Sequence, residues 1–143
     1  MKRLIVVLFS VVLVLSLASC GGGSGESSDS SEAHLYDRAV VENLISGSGD
    51  KLDTKYAYIE AKTSEIDLDA LADVYFNYFK DSDINHLFII YTDNEPHGVY
   101  MMDSLVEDNI EVTKNPQGQY MESDTSECSY YVPKEDGTLE LFE

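Results

Sequence analysis

Residues 68–91 read LDALADVYFNYFKDSDINHLFIIY, and the segment changes its period halfway. In the first part Leu68, Leu71, Ala72, Tyr75 and Phe79 recur at the spacing of one helical face. In the second part Leu87-Phe88-Ile89-Ile90-Tyr91 is apolar at every position. That pattern belongs to a central strand buried on both faces. Asp67 stands where a helix N-cap is needed, and Ile66 before it can staple onto Leu71. Asp67, Asp69 and Asp73 crowd the first turns, where the helix dipole favours negative charge, so they need no metal to explain them. Tyr75, Phe76, Tyr78 and Phe79 exceed what one core stripe requires. Core packing takes most of them, and an exposed aromatic patch for a ligand is the alternative.

Upstream, Lys55 to Lys62 is rich in aromatic and branched side chains and flanked by turn residues, which predicts a strand. Strand, helix and strand in that order suggest a right-handed crossover with a parallel pair. Downstream, Val99–Met102 reads as a return strand. Asn109–Lys114 and Gln119–Met121 flank Asn115-Pro116-Gln117-Gly118, a type I turn signature that predicts a hairpin. A last hairpin joins Ser129–Val132 to Thr138–Phe142 around Lys134-Glu135-Asp136-Gly137. Leu35 to Ile45 reads as a short helix ended at Gly47, with an irregular start as the rival reading. The expectation is one globular domain over residues 33–143, of α+β class. It would have a mostly antiparallel sheet of roughly five to seven strands, one long amphipathic helix over residues 67–80 and a short N-terminal helix.

The first residues carry a different message. Lys2 and Arg3 precede Leu4–Leu17, which is apolar except for Ser10 and Ser16. This is the order of a bacterial export signal, and the run falls short of the roughly 20 residues that span a bilayer as a helix. At its end, Leu17-Ala18-Ser19-Cys20 resembles the lipobox of bacterial lipoproteins. The resemblance covers residues 1–20. It implies that the Cys20 thiol receives a diacylglyceryl group and that signal peptidase II, recognising Leu17, Ala18 and Ser19, removes residues 1–19. It implies further fatty acylation, such as palmitate, on the new amino group in many species. Two acyl chains give stable anchoring where one is marginal. The expected location is the extracytoplasmic face of the cell membrane, held by lipid on Cys20. Residues 21–32, GGGSGESSDSSE, contain no apolar side chain. Such a composition predicts a disordered tether with an end-to-end distance of roughly 20 Å.

The charge narrows the partners. The chain has 27 acidic and 9 basic residues and a formal net charge of −18. Residues 1–19 carry two of those basic residues and no acidic one, so their loss moves the net charge to about −20. Nucleic acid would be repelled, and no basic cluster exists to neutralise a phosphate backbone. Cationic ligands, a protein partner and divalent cations remain compatible. With Cys20 committed to lipid, Cys128 has no disulfide partner in the chain, and a buried small hydrophobe is its expected role.

Catalytic signatures are missing from the sequence: no phosphate loop, GxSxG, HExxH or CxxC occurs. Asp81-Ser82-Asp83-Ile84-Asn85 matches the first positions of an EF-hand loop. His86 stands where glycine is required and Thr92 where a bidentate glutamate is required, so a polar turn is the better reading. No cofactor is implied. The sequence therefore points to a membrane-anchored lipoprotein carrying a small acidic binding or accessory domain, without catalysis. One alternative is a small cell-envelope enzyme using His86, His97 or Cys128 with carboxylates. Another is a weak calcium-binding module.

Overall fold

The computed structural model describes residues 33–142. Residues 1–20, where an export signal and lipobox are expected, and residues 21–32, expected to form a tether, lie outside the described residues. Eight strands form one sheet: β1 (Val40–Ile45), β2 (Lys51–Ala61), β3 (Ile84–Tyr91), β4 (His97–Met102), β5 (Leu105–Lys114), β6 (Tyr120–Asp124), β7 (Ser129–Pro133) and β8 (Leu139–Leu141). The strand order is β1-β2-β3-β4-β5-β7-β8, with β6 also paired to β5. β2 and β3 run parallel, and the other pairs are antiparallel.

The expectation of an α+β domain with one long helix is overturned. Strand accounts for 49% of the structure and helix for 17%, so the domain is mostly β with a mixed sheet. The strand number exceeds the expected range. The helical segment has 12 residues: α1 (Leu68–Val74) and a π-helical turn over Tyr75–Phe79. In that turn the Lys80 N–H reaches the Tyr75 carbonyl at 2.8 Å, one residue further back than in an α-helix. Tyr75 and Phe79, at the two ends of this turn, are both buried.

The N-terminal helix is absent too. Leu35–Arg38 is a single 3₁₀ turn, and Val40–Ile45 is an edge strand paired with β2 through Val40↔Tyr58 and Glu42↔Tyr56. The branched pair Val40-Val41 is stiff at χ1, which favours strand once a pairing partner is available.

Both faces of the sheet are covered, which is why β3 is apolar at successive positions. Leu87, Ile89 and Tyr91 join a first cluster with Leu71, Val74, Tyr75 and Phe79 from the helical segment, and with Ala57, Ile59 and Ala61 from β2. Phe88 and Ile90 join a second cluster with Tyr56, Ile110 and Val112, edged by Tyr58, Tyr100, Tyr120 and Cys128. The Asp67 side chain accepts a hydrogen bond from the Ala70 N–H at 2.8 Å and starts α1, a contact worth about 1 kcal/mol. Close packing of β4 on β3 requires Gly98, since a Cβ there would lie 2.3 Å from the Ile89 carbonyl oxygen.

The second face is covered by an arm made of β5 and β6. β5 pairs with β4 along one side; along the other it pairs first with β7 and then, from Glu111 onward, with β6. Between the two halves Asn109 is skipped in the register and has φ 61°, a left-handed conformation that Asn tolerates. A bulge of this kind bends and twists a strand. The arm's turn is tied by the Asn115 carboxamide, which accepts from the Gln117 and Gln119 N–H groups at 3.0 and 2.9 Å. Gln119, 3% exposed, then reaches the far edge of the sheet. The Ile45 N–H donates to its Oε1 at 2.8 Å, and its Nε2 donates to the Asn43 carbonyl at 2.9 Å. One carboxamide thus acts as an extra peptide group along β1. Behind it, Tyr120 meets Tyr58 edge-on at 5.2 Å.

No helix among the described residues is long and apolar enough to cross a membrane.

Candidate functional site

Along the second half of β5, Ile110 and Val112 enter the second cluster, so Glu111 between them points the other way. The register places His97 of β4 opposite Glu111, and Glu111 opposite Asp124 of β6. Imidazole and two carboxylates therefore stand in one row across three strands. Asn109, Ser126 and Glu127 complete the lining of a cleft of about 250 Å³ beside that row. Every lining side chain is polar. Ligand pockets for whole small molecules usually run from about 300 to 1,000 Å³. This one suits a single functional group instead.

The electrostatics favour a positive group. Glu111, Asp124 and Glu127 surround the cleft, and His97 is the only lining side chain that can carry positive charge. The Ser126 N–H donates to Asp124 at 2.8 Å and holds that carboxyl below its usual range, so Asp124 is charged in neutral solution. His97 Nδ1 is buried and has no hydrogen-bond partner. No carboxylate therefore holds the imidazole at Nδ1.

Of the residues singled out in the sequence, the cleft takes in His97 alone. His86 lies on β3 with its Nδ1 hydrogen-bonded to the Tyr100 hydroxyl, and burial pushes its pKa down. Cys128 is half-buried against the second cluster, with its thiol donating to the Thr125 carbonyl at 3.0 Å. His34 bonds Asp73 at 2.8 Å and stacks on Tyr36 at the start of the domain. The loop with EF-hand spacing spends its polar groups locally. Asp83 pairs with the Lys55 ammonium, Asn85 accepts from the Lys55 N–H, and Ser82 donates to the Phe79 carbonyl. Among the described residues no group of three or more His, Cys, Asp or Glu side chains is arranged to hold a metal ion. Cys20, the expected lipid attachment point, and Leu17, Ala18 and Ser19, the expected recognition residues, lie outside the described residues.

The sequence reading missed Glu111, Asp124 and Glu127. Among 27 acidic residues no single one stands out. The usable clue was the Asn115–Gly118 turn, whose hairpin register brings Glu111 near the end of β6. No family model matches the chain, and no curated protein or solved structure matches it.

Proposed function

We propose that this chain is a lipoprotein held by Cys20 on the extracytoplasmic face of a membrane, and that its acidic domain binds a cationic group in the His97 cleft without catalysing a reaction. The observation that carries the binding role is the His97–Glu111–Asp124 row beside a cleft lined only by polar side chains. The anchoring role is supported by the order of Lys2-Arg3, the apolar run and Leu17-Ala18-Ser19-Cys20. Ammonium and guanidinium groups fit the volume and the charge. Electrostatic attraction of this kind weakens as salt rises.

Two experiments test the two halves separately. Trilysine binding to the full chain, measured by calorimetry at low salt, is expected to weaken by about tenfold in Glu111→Gln and again in Asp124→Asn. Equal binding of trilysine acetylated at every amine, the N-terminal one included, would remove the cation claim. For the anchor, Cys20→Ser is expected to abolish incorporation of labelled palmitate in a lipoprotein-processing host. Equal labelling of that variant would contradict it.

A further inference from the structure

Glu107 sits in the middle of β5 and is 7% exposed. Its neighbours across the sheet are Tyr100 of β4 and Tyr130 of β7, each directly opposite in register. Its Oε2 is buried and has no hydrogen-bond partner. An ionised carboxylate cannot sit there unpaired without a large loss of hydration. Glu122 of β6 stands opposite Val112, on the face that Tyr100 and Glu107 share, and brings a second carboxyl to it. Burial pushes the Glu107 pKa above the ordinary glutamate value of 4.5, and the Glu122 charge pushes it further in the same direction. The remaining titratable neighbours stay neutral and supply no cation. Tyr100 is pushed up to about 12 by burial and by Glu122 and Glu107. The Tyr100 hydroxyl meets His86, whose own pKa burial pushes down. Tyr130 is pushed up as well, first by its hydrogen bond with the Cys128 thiol.

We propose that a proton held on Glu107 and shared with the Glu122 side chain forms a latch, closed in acid, that keeps the β5–β6 arm over the tyrosine-lined face of the sheet. Glu107 belongs to the body of the sheet, through its pairing with β4 and β7, while Glu122 belongs to the arm. Removing the shared proton sets a buried carboxylate against a second one and drives the two apart. The Gln119 contacts at the arm's tip carry no titratable group, so they hold the arm equally at every pH. Opening uncovers Tyr58, Phe88 and Tyr100.

The sign follows from the direction of the shift. The closed state binds the proton more tightly than the open one, so the latch is strongest below the ordinary glutamate range. It weakens as pH rises through the higher value of the closed state. One proton allows the arm's opening constant to grow by up to about tenfold per pH unit within that window.

The test is amide exchange in the full chain between pH 4 and 8, with residues 111–124 of the arm compared at each pH with residues 68–79 of the helical segment. Arm protection relative to the helix is expected to fall as pH rises. In Glu122→Gln, whose carboxamide can donate to the Glu107 carboxylate, the repulsion between the two acids is gone and relative protection is expected to fall much less. Glu122 is exposed, so this variant folds even where Glu107→Gln disturbs the sheet. A pH-independent ratio in the wild-type chain, or the same falling ratio in Glu122→Gln, would overturn the latch.

Discussion

The two faces of the sheet are covered in different ways. The first face meets a helical segment whose contacts are apolar: Leu71, Val74, Tyr75 and Phe79 against Ala57, Ile59 and Ile89, each buried. The second face meets a two-stranded arm, and much of its margin is polar. Tyr58, Tyr100, Tyr120 and Tyr130 are only part-buried, Glu107 is buried among them, and Gln119 fastens the tip. Apolar burial has no direction and no pH dependence. Carboxyl and carboxamide contacts are directional, few and sensitive to protonation. The first face therefore stabilises the domain as a whole, while the second can open locally without unfolding it.

The largest expected effect breaks the first face. Leu71→Ala should lower the unfolding free energy by about 2–5 kcal/mol, measured in denaturant, because Leu71 is 2% exposed and sits between helix and sheet. Every probe should shift together. A smaller effect is expected on the second face. Gln119→Ala leaves the Ile45 N–H and the Asn43 carbonyl without their partner, at a cost of about 1–3 kcal/mol. That loss should appear as faster exchange in the arm before any change in the helix. If arm and helix shift equally in Gln119→Ala, the two faces are not separable. The smallest effect returns to the helix. Asp67→Ala removes the N-cap and should cost about 1 kcal/mol in the same denaturant measurement.

The helix-covered face was the legible one. Helical spacing from Leu68 to Phe79 and the run Leu87–Tyr91 are local patterns, and both elements form where those patterns lie. The fold class was misjudged where local pattern is ambiguous. Val40, Val41, Leu44 and Ile45 suit a helical stripe as well as a strand, and only the distant Tyr56-Ala57-Tyr58 decides between them. β5 starts earlier than its apolar pattern indicates, because Glu107 and Asp108 interrupt the alternation and the bulge at Asn109 resets it. The candidate site depends on that same reset. Without the bulge, Glu111 would turn into the second cluster rather than towards His97 and Asp124. Nothing near Glu107 in the sequence says that an acid is buried there. Its burial comes from β4, β7 and the arm meeting around it.

Native-state amide exchange tests directly whether the arm opens as a separate unit. With denaturant added below the unfolding transition, the amides of Ile59 and Ile89 should exchange only through global unfolding. Those of the arm, such as Val112 and Glu122, should exchange through a smaller opening that exposes less surface and responds less to denaturant. Convergence of both sets on one free energy and one denaturant slope would contradict separate opening of the arm.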